Sequence, residues 1–155
     1  MKKADEKVVV TSIWIFAAGI ILLTAVLFAA NVIARPVDLS DCAAPPATVE
    51  YQIDKFENEG TLLAEGWTID TKNSYNTVSV TAVVKDRVTG EFYILPTATR
   101  SADKLHTPAA VPEDKEEFAG FFARGIILGG SGSYELCLVF DGGSARYLIN
   151  TGVSA

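Results

Sequence analysis

The segment from Val8 to Ala34, VVVTSIWIFAAGIILLTAVLFAANVIA, decides how the rest of the sequence is interpreted. It contains no charged residue, and only four polar side chains interrupt it. An α-helix rises about 1.5 Å per residue, so a run of this length crosses the roughly 30 Å hydrocarbon core of a bilayer with residues to spare. We therefore predict a single transmembrane helix at residues 8–34, with the lipid bilayer as the first partner of the chain.

A cleaved secretory signal is the alternative interpretation of this segment. The apolar region of such a signal normally has about 7–15 residues and ends in a small-x-small site. The best site in this sequence is Val32-Ile33-Ala34, and Pro36 follows it closely. Because the apolar run is about twice as long as a signal core, an uncleaved signal anchor is favoured.

The charges that flank the helix predict its orientation. Lys2, Lys3 and Lys7 precede the helix, whereas only Arg35 follows it closely. By the positive-inside rule, residues 1–7 form a cytoplasmic tail. We expect a single-pass protein of the cell membrane, with its C-terminal domain on the extracytoplasmic side.

The net charge of −6 hides two parts of opposite sign in this chain of 155 residues. Residues 36–155 hold nine Lys and Arg against 17 Asp and Glu, which gives this part a net charge of −8. Phosphate contacts need clustered basic side chains, and this sequence has no such cluster, so we expect no nucleic-acid partner. About 120 residues suffice for one compact domain but not for two.

Residues 35–47 predict a stalk, because Pro36, Pro45 and Pro46 stand among small residues there and disfavour both helix and strand. From residue 48 to residue 155 the apolar pattern has a period of two, with turn residues at short intervals, which indicates antiparallel strands. The fold class that follows is one transmembrane α-helix and an all-β antiparallel sandwich of the immunoglobulin or fibronectin-III kind, with a closed barrel as the alternative. The seven predicted strands are Val49–Phe56, Thr61–Asp70, Thr77–Lys85, Glu91–Leu95, Phe118–Ile127, Tyr134–Phe140 and Ala145–Asn150, with an irregular stretch from Thr97 to Glu117.

Four short motifs in this β region carry a resemblance. They are Gly66-Trp67, Tyr93-Ile94-Leu95-Pro96-Thr97 followed by Arg100 and Asp103, Gly120-Phe121-Phe122-Ala123, and Gly132-Ser133-Tyr134-Glu135-Leu136. In this order they resemble β-sandwich modules of bacterial membrane-anchored surface proteins that accompany glycosyltransferase or surface-polysaccharide systems. The loop after Arg100 departs from that pattern where it reads Ser-Ala-Asp-Lys-Leu. The resemblance implies a place in the bacterial cell envelope and implies no chemistry.

Three residues are candidates for ligand binding, namely Trp67, Arg100 and Asp103. Arg100 and Asp103 suit a sugar or a polar group of a partner, and the alternative is an ion pair that fastens their loop to the sandwich. Trp67 could stack on a sugar together with other aromatic side chains, and the alternative is a packing role between the two sheets. Those other aromatic residues are Tyr93, Phe121 and Phe122.

The sequence predicts no catalytic residue, no metal ligand and no cofactor. His106 is the only histidine and lacks a nucleophile motif around it. The carboxylates between Glu113 and Glu117 are interleaved with Lys115, which is typical of a solvated loop rather than of a general acid. Isolated carboxylates such as Asp70 and Asp141 fall short of a calcium cage, and the absence of a CxxC motif argues against zinc.

The two cysteines, Cys42 and Cys137, are a candidate disulfide. A bridge between them would close a loop of about 95 residues in an oxidising compartment and contribute about 4 kcal/mol in the chain-entropy model. The alternative is a buried, inert Cys137, with Cys42 free or paired between chains.

These observations favour a non-catalytic binding or accessory module of the bacterial envelope, whose partner is an envelope protein or a carbohydrate. The second hypothesis is a structural subunit that contacts its complex through the transmembrane helix. An envelope hydrolase that uses the acidic loop is the third and weakest hypothesis.

Overall fold

A long α-helix, α1, opens the chain and runs from Lys3 to Val32. The computed structural model that shows it describes residues 3–71, 79–100, 120–142 and 145–155. Within that part of the chain, Lys7–Val32 is the one helical segment long and apolar enough to cross a membrane, and none of its most apolar window is buried. The helix thus begins inside the predicted tail and ends two residues before the predicted limit at Ala34.

From Val8 to Val32 the helix α1 is apolar on every side. Four consecutive residues, Ile20 to Leu23, are between 51% and 69% exposed, and four residues make slightly more than one helical turn. The polar side chains of Thr24 and Asn31 bond to the helix itself, with Thr24 Oγ1 donating to Ile20 O at 2.8 Å and Asn31 Nδ2 donating to Leu27 O at 2.7 Å. The helix therefore presents no polar face to water.

The chain divides into two units, residues 1–31 and residues 32–155. The second unit is built of strands, nine of which lie in the described residues. They are β1 (Arg35–Pro36), β2 (Val49–Asn58), β3 (Leu62–Asp70), β4 (Ser79–Asp86), β5 (Phe92–Ile94), β6 (Thr97–Arg100), β7 (Gly120–Gly125), β8 (Tyr134–Asp141) and β9 (Arg146–Ser154).

The strands form two antiparallel sheets. One has five strands in the order β1-β5-β4-β8-β9, and the other has four in the order β2-β3-β7-β6. Alternate residues along β3, β4, β7 and β8 fill one shared hydrophobic core, because successive side chains of a strand point to opposite faces. This core includes Leu62, Ala64, Ala82, Val84, Phe121, Ala123, Leu136, Leu138 and Phe140. The predicted antiparallel all-β domain is confirmed.

Seven of the nine strands coincide with the seven predicted ones, and two were not predicted. β1 contains Pro36, and β6 begins directly after Pro96, within the stretch predicted to be irregular. Both are edge strands, where proline is tolerated because only one side of the strand needs to donate to a neighbour. A proline in or just before an edge strand therefore does not exclude the strand, which is why the sequence pattern missed β1 and β6.

The predicted stalk at residues 35–47 is wrong for residues 35–43, which are part of the β domain. Arg35 pairs with Ile94 at one edge of the five-stranded sheet. At the opposite edge, Ala43 N donates to Arg146 O at 2.9 Å. Residues 35–43, which we call the strap, therefore cross the outer face of this sheet from edge to edge.

The strap is held by apolar packing and by one ion pair. Leu39 is 8% exposed and packs in a second hydrophobic cluster with Val83, Cys137 and Val139. Arg146 Nη1 lies 2.7 Å from Asp41 Oδ2. Residues 35–43 of the predicted spacer, Pro36 among them, therefore form a segment that covers apolar side chains.

Candidate functional site

Trp67 and Arg100, two of the predicted ligand residues, lie in one row across the four-stranded sheet. Trp67 of β3 pairs with Gly120 of β7, and Gly120 pairs with Arg100 of β6. Asp103, the third predicted residue, lies outside the described residues. The structure therefore brings two of the three residues onto one face of one sheet.

This face is the outer one. Ala64 and Phe121 belong to the core between the sheets, and the register places Gly66 opposite Phe121. Trp67, one residue farther along β3, points to the opposite face. The interpretation of Trp67 as the packing residue between the two sheets is therefore wrong, since the inward position of the Gly66-Trp67 pair belongs to the glycine.

Arg100 forms an ion pair that spans two strands. Its Nη1 lies 3.1 Å from Glu65 Oε2 on β3, and Gly120 on the intervening strand has no side chain to obstruct the contact. The side chains of Arg100 and Glu65 are 64% and 30% exposed. A guanidinium carries five N–H donors, so an arginine exposed to this extent can also bind a carboxylate or a hydroxyl of a partner.

Trp67 does not present a stacking surface in this structure. Trp67 is only 4% exposed, and its indole Nε1 is buried with no hydrogen-bond partner among the described residues. A sugar-stacking residue must expose a ring face to its ligand, and this ring exposes almost none. Ile69, two residues along the same face of β3, is also buried.

The four aromatic residues of the predicted platform do not come together. Phe121 is 1% exposed in the core between the sheets, whereas Phe122 lies on the outer face. Tyr93 belongs to β5 in the other sheet, where its hydroxyl donates to Glu91 Oε2 at 2.7 Å. What remains of the candidate site is the pair Arg100 and Glu65.

The predicted bridge between Cys42 and Cys137 is not formed in this structure, where both are free thiols. Both nevertheless contact the cluster beneath the strap. Burial raises the pKa of the Cys137 thiol to about 11, and its Sγ lies 3.5 Å from Asn150 Oδ1. Cys137 is thus a weak nucleophile at neutral pH.

Asp86 is a structurally important carboxylate that the sequence reasoning did not single out. Its Oδ1 accepts hydrogen bonds from the backbone N–H of Val88 at 2.8 Å and of Thr89 at 3.1 Å. Its Oδ2 accepts one from Ser131 N at 2.9 Å. These backbone donors, led by that of Ser131, lower its pKa to about 2. The signal was available in the turn Asp86-Arg87-Val88-Thr89-Gly90, where aspartate commonly accepts backbone bonds.

The sequence also raised His106 and a run of acidic residues as candidates for chemistry. His106 and the carboxylates between Glu113 and Glu117 lie outside the described residues. In the part of the chain that the structure describes, no group of three His, Cys, Asp or Glu side chains is placed to hold a metal ion.

Comparisons with protein-family models, with curated proteins and with solved structures find no match to this chain.

Proposed function

We propose that the protein is a single-pass membrane protein that displays a non-catalytic β-sandwich, of immunoglobulin or fibronectin-III kind, on the extracytoplasmic side of a bacterial cell membrane. There it acts as a binding or accessory module of an envelope assembly. Its partner is an envelope protein or a carbohydrate.

The observation that carries this proposal is the exposure of the apolar segment Lys7–Val32, none of whose most apolar window is buried. A helix that is apolar all round must be covered by other protein or by lipid. None of the most apolar window of this helix is buried in the chain, so lipid is the covering that fits its length. The three lysines before Val8 support an extracytoplasmic β domain.

The surroundings of Ala34 support an uncleaved anchor. Ala34, the end of the best cleavage site, is 6% exposed and belongs to the core between the sheets. Its backbone N–H donates to Ile126 O at 2.9 Å. Cleavage after Ala34 would therefore remove a residue from the core of the folded domain.

The alternative function, assembly through the transmembrane helix, has less support. Polar side chains join transmembrane helices by hydrogen bonding across their interface. The side chains of Thr24 and Asn31 already bond to carbonyl groups of their own helix. The exposed pair Arg100 and Glu65 offers a partner more chemistry than the helix does.

Photo-crosslinking in intact cells tests the proposal. A photoreactive residue is placed at Ala98, an exposed position of β6 next to the Arg100 row, in the full-length protein. The matched control carries it at Glu59, an exposed turn residue outside that face. We expect crosslinks from position 98 to an envelope protein or polysaccharide, and weaker ones from position 59.

Replacement of α1 by an unrelated transmembrane helix separates the two functions. Crosslinks from position 98 that persist after the exchange support the binding module. Their loss favours assembly through the helix. The proposal would be overturned by crosslinks only to proteins outside the envelope. It would also be overturned if a membrane-impermeant label reached the β domain from the cytoplasmic side alone.

A further inference from the structure

The strand β2 leaves one edge of the four-stranded sheet open. Of the four strands that end a sheet in the described part of the chain, β1 has two residues, β6 has four, and β9 is partly covered by Ala43 on its outer side. β2 has ten residues, and β3 pairs with it on one side only. An unpaired edge presents N–H and C=O groups that can pair with another strand.

The hydrogen bonds at the start of β2 show which backbone groups face the open side. Thr71 N donates to Thr48 O at 3.0 Å, so the backbone groups of Thr48 point towards β3. Because these groups alternate in direction along an antiparallel strand, those of Val49, Tyr51 and Ile53 point to the open side. Val49 N donates to a carbonyl of the preceding turn at 3.0 Å, but the described residues supply no partner to Tyr51 N or Ile53 N there.

Tyr51 is the exposed aromatic residue of this edge. Val49 and Ile53 pack against the core between the two sheets. Tyr51 lies midway between them and points to the same side of β2, because side chains alternate along a strand. It is nevertheless 38% exposed. A strand added beside β2 would cover this ring and extend the core.

The charges of β2 select one register for a second copy of the strand. A two-fold pairing centred on Tyr51 places Glu50 of one copy opposite Gln52 of the other. A shift by one residue would place Glu50 opposite either Glu50 or Asp54, and like charges directly opposite each other are destabilising. The bulge after Ile53 ends the regular edge. The first half of β2 is therefore complementary to itself.

We propose that β2 pairs with β2 of a second copy of this chain, antiparallel and centred on Tyr51. In the dimer, Tyr51 N donates to Tyr51 O of the second copy, and Ile53 N donates to Val49 O, in both directions. The four-stranded sheet thus continues across the two-fold axis. Arg100 stays available to a partner, because β6 is the opposite edge of the sheet.

Disulfide crosslinking of the full-length protein in its membrane tests the pairing. Two differently tagged copies are produced together in a Cys42→Ser background, one with Glu50→Cys and the other with Gln52→Cys, and are oxidised with copper phenanthroline. Both positions are exposed, whereas Cys137 is fully buried. Residues directly opposite in such a pair have Cα atoms about 4.5 Å apart, within the range of a disulfide.

We expect mixed dimers, with one tag of each kind, to exceed dimers that carry a single tag. Two copies of residue 50, or two of residue 52, lie diagonally about 7–8 Å apart in the proposed register, which is too far for a disulfide. The matched control is Lys55→Cys, an exposed position of the same strand whose two copies lie about 26 Å apart.

Equal crosslinking of Lys55→Cys, or no excess of mixed dimers, would overturn the inference. Crosslinks from positions 50 and 52 to a different protein alone would also overturn it, because the edge would then bind a foreign strand.

A substitution at the centre of the pairing provides a second test. Tyr51→Lys places two positive charges opposite each other, and lysine on an edge strand opposes pairing. In sedimentation of the full-length protein in detergent, we expect a shift from dimer to monomer. The matched control is Glu57→Lys, an exposed position of β2 beyond the bulge, which should remain dimeric.

Urea unfolding of Tyr51→Lys verifies that this variant is folded. A folded Tyr51→Lys that stays dimeric would overturn the inference, because a surface other than β2 would then hold the two copies together.

Discussion

Gly66 shows how one residue sets the face to which its neighbour points. A Cβ atom at this position would collide with the backbone oxygen of Gln52 on β2. Glycine is therefore required where β2 and β3 approach closely, next to the register shift between Ile53 and Lys55. Trp67 consequently takes the outward position.

We expect Gly66→Ala to destabilise the protein by about 1–3 kcal/mol, because the backbone of β2 must move to accept the added methyl group. The measurement is urea unfolding of the full-length protein in detergent. Gly19→Ala is the matched control, since nothing lies within 4 Å of a Cβ atom there. Equal losses of stability in both variants would contradict this explanation.

Arg100 and Glu65 form an exposed ion pair, and such pairs contribute little to stability. A double-mutant cycle with Arg100→Ala and Glu65→Ala is expected to give a coupling free energy below about 1 kcal/mol, reduced further by salt. A coupling well above about 2 kcal/mol would assign the pair a structural role. It would then argue against Arg100 as a residue available to a partner.

Asp86 makes stability depend on acid pH. Its pKa in the fold, about 2, lies below the ordinary value of 3.8, so the ionised carboxylate stabilises the fold above about pH 4. This contribution is lost as the pH falls from about 4 towards 2. Asp86→Asn should therefore be less stable than the natural protein at pH 6, and the difference should shrink towards pH 2.

Unfolding of both proteins across this pH range checks the prediction for Asp86. The matched control is Asp54→Asn, which alters an exposed carboxylate of β2. A constant difference between the natural protein and Asp86→Asn from pH 6 to pH 2 would show that the Asp86 charge is not the cause.

At the scale of an element, the strap shows how a mostly irregular segment covers one face of a sheet. It carries Leu39 onto the outer face of the five-stranded sheet and excludes water from Cys137, which is 0% exposed. Without the strap, this face would expose a patch of apolar side chains.

We expect Leu39→Ala to cost about 2–4 kcal/mol, because truncation leaves a cavity beneath the strap. In a Cys42→Ser background, the same change should speed the reaction of Cys137 with a maleimide. Val88→Ala is the control, since Val88 is 76% exposed and its truncation leaves no cavity. An unchanged rate for Cys137 in Leu39→Ala would mean that the strap does not protect the thiol.

At the scale of the whole molecule, charge is divided between the two ends of the apolar segment. The three lysines near the N-terminus stand against a β region with a net charge of −8. Because basic side chains are retained on the cytoplasmic side, this division predicts that the β domain faces outward.

Reversal of the three charges, Lys2→Glu, Lys3→Glu and Lys7→Glu together, is expected to lower the fraction of molecules whose β domain faces outward. The measurement is labelling of Ala98→Cys in intact cells with a membrane-impermeant maleimide. Lys55→Glu is the control, because Lys55 lies in β2, far along the chain from the apolar segment. An unaltered labelled fraction in the triple variant would contradict the predicted orientation.

The candidate site was predictable only in part. The sequence pointed to Arg100 and Trp67 separately. They lie in one row of the sheet because both pair with Gly120, which lies 20 residues beyond Arg100 in the chain. Glu65, the partner of Arg100, is 35 residues away. Local patterns carry no information on such pairings, because register is set by the packing of whole strands.

The sequence by itself determined the apolar helix, the antiparallel β class and seven of the strands, because each follows from periodicity and turn residues within a short window. Only the tertiary structure decided the course of the strap, the outward direction of Trp67, the pairing of Arg100 with Glu65 and the bracing of two turns by Asp86. The physical reason is that these features depend on contacts between residues distant in sequence, whose free energies appear only when both sheets have assembled.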